Sequence, residues 1–153
     1  PIQMRVTIQR VSEASVKIDG NIKSKIGLGL LVLAGFEESD TIEDIEWVSG
    51  KIVNLRIFND EKGLMNLSVR DVNGNIIIVS QFTLHAKTKK GNRPSFVHAA
   101  KPEVAIPLYE IFLKQVETDF GKEIGSGEFG ADMKMALIND GPVTINIDSK
   151  NKE

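Results

Sequence analysis

A mixed α/β domain, mostly strand with two main helices packed on the sheet, is the fold class this sequence predicts. Three observations predict it. Short β-rich runs recur along the chain, several with strict apolar/polar alternation. Only two stretches, 41–55 and part of 102–120, repeat apolar residues at three- and four-residue spacing. Two dipeptides, Asp19-Gly20 and Asn73-Gly74, favour the tight turns whose twist matches paired strands. Together they point to a single α/β or α+β domain with a mostly antiparallel or mixed sheet.

In chain order, 5–11 alternates with Val6 and Ile8 on one face and reads as a strand. Residues 16–22 read as a hairpin about Asp19-Gly20. The nearly all-apolar run 28–36 reads as a central strand covered on both faces. In 41–55, Ile42, Ile45, Val48, Ile52 and Leu55 make a helical stripe. Ser39 to Thr41 supply cap candidates, and the acidic run Glu37, Glu38, Asp40, Glu43, Asp44, Glu46 suits a helix N-terminus. Strands are expected at 56–58 and 65–69, with a second hairpin at Asn73-Gly74. The apolar run 76–79 reads as a buried strand and 87–94 as a loop. A helix lies within 102–120, its apolar face carrying Leu108, Ile111, Phe112 and Val116, with Pro107 as a kink or a second start. Alternation at 133–138 and at 143–147 predicts two further strands around Gly141-Pro142, and 149–153 reads as a frayed polar tail. Pro1-Ile2-Gln3 precede a natural-looking start at Met4 and read as foreign to the native chain, which puts the domain at 4–148.

The 153 residues suffice for one domain with a substantial core. There is no cysteine, which excludes disulfides, thiolate metal ligands and a cysteine nucleophile, and suits a reducing cytoplasm. No apolar run approaches the roughly 20 residues that span a bilayer, so no membrane partner is expected. The net charge of −2 does not advertise nucleic-acid binding. Locally, however, Lys87, Lys89, Lys90 and Arg93 stand together with no acid among them, a loop able to hold a phosphate backbone or merely to be solvated.

Two segments carry chemistry. Ser80-Gln81-Phe82-Thr83-Leu84 places amide and hydroxyl side chains just after a buried strand, where sites are often built. Asn139-Asp140-Gly141-Pro142-Val143-Thr144 places an X-Pro bond, the kind that takes the cis form at a cost of only about 0.5–1 kcal/mol. A cis Gly-Pro would turn two carbonyls the same way; an ordinary turn is the other reading. Both segments match in full the paired signatures of the D-aminoacyl-tRNA deacylases, first described as D-tyrosyl-tRNA deacylases. The resemblance extends to Met4-Arg5-Val6 and Gln9-Arg10-Val11, Asn54-Leu55-Arg56-Ile57-Phe58, Lys90-Gly91-Asn92-Arg93-Pro94-Ser95-Phe96 and Phe129-Gly130-Ala131-Asp132-Met133, and so to nearly the whole chain from Met4.

The resemblance implies the deacylase-family fold and a homodimeric editing hydrolase with active sites at the dimer interface. Its substrate would be tRNA charged with a D-amino acid. Gln81, Phe82 and Thr83 would be catalytic, with Ser80, Gly141, Pro142, Phe129 and Met133 binding substrate. Gly141-Pro142 would be cis and inserted into the partner subunit's site, with Arg10 holding the motif in place and Asn139 supporting it. L substrates would be rejected by clash, many D side chains tolerated and glycyl-tRNA cleaved. Lys87, Lys89, Lys90 and Arg93 would contact the tRNA backbone.

The residues themselves leave the attacking group open. Thr83 has no neighbouring base in sequence to activate it as a nucleophile, so it either positions substrate or attacks. The backbone amides of Phe82 and Thr83 are candidate oxyanion donors, unless a strand ladder consumes them. His85 and His98 are the only histidines, at no triad or metal-ligand spacing, and neither is expected to be catalytic. No metal or cofactor is expected. Gly125-Ser126-Gly127-Glu128-Phe129-Gly130 fits G-x-G-x-x-G, but a helix precedes it and alternation follows, the reverse of a dinucleotide site. The alternative from another class is a non-catalytic nucleic-acid-binding module working through the basic loop. The 6% aromatic content and the lack of aromatic–basic interleaving argue against it.

Overall fold

The computed structural model describes residues 4–153. Residues 1–3, read above as foreign to the native chain, lie outside the described residues. Strand β1 (Arg5–Ile18) is the axis of the molecule. On one side its first half pairs antiparallel with β3 (Gly29–Gly35) and its second half with β2 (Asn21–Ile26). Its other side is taken throughout by β8 (Met133–Asp148). The expected strand at 5–11 and the hairpin arm at 16–18 are thus one continuous element. The hairpin turn is as the sequence predicts: Asp19 and Gly20 both hold positive φ, 51° and 78°, the conformation of a two-residue turn.

Beyond β3 the sheet continues in parallel through β6 (Asn75–Ser80) and β7 (Gly125–Ser126). The expected Asn73-Gly74 hairpin is therefore corrected. Asn73 does take positive φ, 53°, but the chain turns there into a strand parallel to β3, and the Asn75 N–H donates to the Leu28 carbonyl at 3.0 Å. A parallel pair needs a crossover, and helix α1 (Ile42–Asn54) supplies it. The strands expected at 56–58 and 65–69 shrink to β4 (Phe58–Asn59) and β5 (Met65–Leu67), which pair with each other. The far ends of the sheet also meet: Ser24 Oγ, on β2, donates to the Ser126 carbonyl at 2.6 Å and accepts from the Ser126 N–H at 3.0 Å. The sheet consequently has an enclosed face, packed by Val11, Val16, Leu31, Ile77 and Val79. Its other face packs against both helices through Ile8, Val32, Ile76 and Ile78.

Helix α1 starts on a capping box: Asp44 N–H donates to Thr41 Oγ1 and the Asp44 carboxylate accepts from the Thr41 N–H at 2.9 Å. Part of the acidic run is explained this way. Helix α2 (Pro102–Phe120) begins with proline in its first turn and tolerates Pro107 inside. Its buried stripe is Ala105, Tyr109, Phe112, Val116 and Phe120: Phe112 and Val116 are buried as expected, Leu108 is half-buried and Ile111 is exposed. Phe36 anchors that stripe with edge-to-face contacts to Tyr109 and Phe112. The 149–153 tail is held rather than frayed: Ser149 is buried and exchanges hydrogen bonds with the backbone of Met4 at 2.9 and 3.1 Å. Lys150 pairs with Asp44 at 3.0 Å, and Lys152 stacks on Trp47.

Asp40 is buried beside Glu37 and Asp44, and accepts the Glu37 N–H at 2.7 Å. Burial chiefly, then repulsion from Asp44 and Glu37, pushes its carboxyl up to about 7 against the lowering effects of that hydrogen bond and Lys150. The folded chain thus binds this proton more tightly than the unfolded chain. The stability contributed by the protonated group is fully present below the unfolded pKa, falls from about pH 4 and is gone above about pH 7. Asp40→Asn is therefore expected to be more stable than the wild type at pH 8, with the gap closing below pH 5. Denaturation at a series of pH values checks this; a gap independent of pH would mean that Asp40 ionises normally.

Candidate active site

The Ser80–Leu84 signature leaves the sheet where β6 ends. The Gln81 N–H makes the last ladder bond, to the Ala34 carbonyl of β3 at 2.7 Å. The chain then winds into a 3₁₀ turn, Phe82–His85, instead of extending as a strand. Within that turn the Leu84 N–H donates to the Gln81 carbonyl at 3.3 Å, and beyond it the Ala86 N–H donates to the Thr83 carbonyl at 3.2 Å. Among the described residues, the Phe82 and Thr83 N–H groups have no acceptor, as the first donors of any helical turn lack one. The ladder that would have consumed them stops one residue short.

The turn is fixed from behind. His85 is buried, its Nε2 lying 3.3 Å from Glu37 Oε1 in an equally buried carboxylate. Arg5 donates to the Leu84 carbonyl at 2.9 Å. Gly35 permits this approach, since a Cβ there would stand 2.9 Å from both the Gln81 carbonyl oxygen and His85 Nδ1. His85 is thus a scaffold residue, while His98 is exposed. Gln81 Nε2 donates to Thr83 Oγ1.

A cavity of about 320 Å³ opens beside the turn. Ser80, Gln81, Phe82, Phe129 and Met133 all line it, so the structure brings these five predicted residues together. Thr83 lies outside the lining and is exposed. Sequence reasoning did not single out Ala34, Gly35 and Ala100, which line the same cavity. Small residues in strands and loops carry no chemical signal, though their size is what leaves the space. Tyr109 backs this region; its buried hydroxyl, pushed up to about 12 by desolvation, donates to the Ile78 carbonyl at 3.0 Å. The G-x-G-x-x-G stretch forms the short β7 and the loop to Phe129, with no helix after it. A larger groove, about 920 Å³ beside Trp47, is lined by Leu84 at the end of the first signature but by none of the residues expected to be catalytic or to bind substrate.

The Gly141–Pro142 motif is elsewhere. It is not a turn between two strands but an excursion within β8. Gln9 pairs with Thr144 and Val11 with Asn139, so residues 140–143 loop out opposite Arg10 alone. The Gly141–Pro142 peptide is cis. The loop is built from side chains: the Val143 N–H donates to Asn139 Oδ1 at 3.0 Å, and Asn139 Nδ2 donates to Gln9 Oε1 and Thr144 Oγ1 at 2.6 and 3.0 Å. Arg10 is buried beneath it. Its Nε donates to the Asp140 carbonyl at 2.8 Å and its Nη1 to the Ile57 carbonyl at 2.8 Å and Asn59 Oδ1 at 3.4 Å. Gly141 and Pro142 themselves are exposed and take no part in this chain's own cavity. Lys87, Lys89, Lys90 and Arg93 are all exposed on the loop that follows the 3₁₀ turn.

Among the described residues, no three His, Asp or Glu side chains are grouped to hold a metal ion, and no helix is long and apolar enough to cross a membrane.

Residues 7–148 match the family model described as D-Tyr-tRNA(Tyr) deacylase. The chain is 66% identical to a D-aminoacyl-tRNA deacylase of Flavobacterium psychrophilum and 64% identical to one of Bacteroides fragilis, over 98% of this chain and all of each relative. Among solved structures it resembles one titled c-Myc DNA Unwinding Element Binding Protein, with a TM-score of 0.89 and 42% identity over 94% of this chain and 97% of that one. A probable eukaryotic D-amino acid tRNA deacylase shares the fold, with a TM-score of 0.84 at 20% identity over 96% of this chain and all of that one.

Proposed function

The chain belongs to the D-Tyr-tRNA(Tyr) deacylase family, and from that premise we propose that it hydrolyses the ester of D-aminoacyl-tRNA on the Phe82 and Thr83 amides, in the cytoplasm, as a homodimer. The observation that carries this reading is that, among the described residues, the N–H groups of Phe82, which lines the cavity, and of its neighbour Thr83 have no acceptor. Attack on the ester carbonyl puts negative charge on its oxygen, and fixed donors stabilise that charge without reorganising. The C–O bond to the ribose then breaks, the ribose oxygen takes a proton, and free tRNA and amino acid leave. An aminoacyl ester is already activated, so positioning and charge stabilisation suffice. Water is the preferred attacking group, assisted or not by a ribose hydroxyl, because the Thr83 hydroxyl is bonded to Gln81 rather than to a base.

Chirality is read by the Gly141 and Pro142 carbonyls of the partner subunit, which hold the α-amino group and fill the space an L side chain needs. Supporting this is the contrast between a firmly built, exposed loop and an open cavity that the same chain's loop does not line. Glycyl-tRNA, with no side chain to reject, is cleaved as well. Phe129 and Met133 wall the pocket, and Lys87, Lys89, Lys90 and Arg93 hold the tRNA backbone in a salt-dependent way.

Single-turnover deacylation of D-tyrosyl-tRNA, L-tyrosyl-tRNA and glycyl-tRNA, with and without chelator, tests the reading. Release of the D and glycyl forms alone, unaffected by chelation, is expected; equal or absent cleavage of D and L would sink it. Thr83→Ala is expected to stay within about tenfold of the wild type, since it loses one hydrogen bond and not the oxyanion donors. Complete loss in a folded protein would make the hydroxyl the nucleophile. A second reading, a non-catalytic nucleic-acid-binding module, draws on the exposed basic loop and on the relative titled for DNA binding. It requires that loss of the loop lysines remove all function, whereas the hydrolase should only bind tRNA more weakly.

A further inference from the structure

We propose that the ring pair Phe82–Phe96 is a stacking platform for the unpaired base immediately before the aminoacylated terminal nucleotide of the tRNA. The inference rests on the deacylase reading and extends its substrate contacts past the ester. Phe82 is 54% exposed, the only aromatic side chain among the described residues that ranks with the exposed large hydrophobics. Phe36, Phe58, Tyr109, Phe112 and Phe120 are buried in the core, where large rings gain most. Phe82 is instead held at the surface against Phe96, edge to face, with centroids 5.0 Å apart and planes at 78°.

Phe96 reaches this position because the basic loop closes on itself. Lys87 and Ser95 exchange backbone hydrogen bonds at 2.7 and 3.0 Å, so the chain returns beside the 3₁₀ turn it left. Four exposed cations, Lys87, Lys89, Lys90 and Arg93, therefore project from a loop whose base carries the ring pair. Aromatic rings next to a cationic track are what single-stranded nucleic acid needs: the charges follow the phosphates and the rings take a base face. Sequence reading found no aromatic–basic interleaving because Phe82 comes from the turn before the loop and Phe96 from just after the bridge at Ser95 that closes it. In this scheme the Phe82 amide meets the ester, and its exposed ring beside the cavity is assigned to the incoming 3′ strand.

The test uses the full chain with Phe96→Leu, which keeps apolar bulk and removes the ring. Two substrates are compared, D-tyrosyl-tRNA and D-tyrosyl-adenosine, the latter lacking the preceding base. Loss of about tenfold in kcat/KM is expected on the tRNA, mostly through KM, as for one lost base stack, with no change on the adenosine ester. Independently, uncharged tRNA carrying 2-aminopurine at the penultimate position should be quenched on binding the wild type and not the variant. Equal loss on both substrates would show that Phe96 only buttresses Phe82, and a changed oligomeric state would make the ring pair a subunit contact; either overturns the proposal. So does the absence of any effect. A wild-type protein that cleaves neither D ester would instead remove the deacylase reading, and the platform with it.

Discussion

Arg10→Ala is expected to cost about 3 kcal/mol of stability and to lower kcat/KM for D-aminoacyl-tRNA by about 100-fold or more. Arg10 is 7% exposed, and among the described residues no carboxylate pairs with it. Its charge is met by oxygens of three residues from two separate segments: Asp140 in the excursion, and Ile57 and Asn59 around β4. Truncation leaves the Ile57 carbonyl, bonded in a buried site, without its donor and opens a void below the Gly141–Pro142 loop. A loop displaced by about 1 Å loses the positioning on which the proposed chiral rejection depends. Arg10→Lys should recover little, because a single ammonium cannot reproduce a planar fork bonded in three directions. Urea denaturation and single-turnover kinetics check the two halves separately. A folded Arg10→Ala protein with near-native activity would show that the loop does not need its anchor.

Gly141→Ala should separate function from stability more cleanly. Gly141 holds φ at 132°, a backbone conformation that side chains disfavour, and an added Cβ would stand 2.8 Å from Arg10 Nη2 and 2.9 Å from Val143 Cγ2. The loop must shift to admit a methyl group. A stability loss of roughly 1–3 kcal/mol is expected from the strained backbone, with about 100-fold loss of D-specific cleavage. The D-to-L ratio should fall as well, because the carbonyls that exclude the L side chain move with the loop. An unchanged ratio would place chiral discrimination elsewhere in the pocket.

The parts of the fold that local chemistry dictates were legible in the sequence. Asp19-Gly20 makes the hairpin, Thr41 and Asp44 cap α1, and the apolar runs of β3 and β6 are buried. What failed was whatever depends on a distant partner. Asn73-Gly74 carries the same local signal as Asp19-Gly20, yet the strand it introduces pairs in parallel with β3, because α1 has already brought the chain across. The break at Gly141-Pro142 looked like a turn between strands; β1 runs past it unbroken, so the chain bulges and resumes. At the site, the signature residues were visible as a pattern. The freeing of the Phe82 and Thr83 amides was not, since it follows from β3 ending its ladder with β6 at Gln81. Nor could the acidic run reveal that Glu37 leaves the helix cap to back the turn through His85.

Strand β8 begins at the cavity wall, Met133, and carries the excursion at Gly141, eight residues on and roughly 26 Å away at strand rise. Residues 133–139 are each paired to β1, with side chains alternating between half-buried and exposed up to Asn139. The segment is therefore a ruler, and its information lies in its length. Gaining or losing a single residue between Met135 and Asn139 would turn the following side chains to the wrong face and carry the motif off Arg10. Descendants of this sequence are free to exchange letters there, within the limits of packing, but not to change their number.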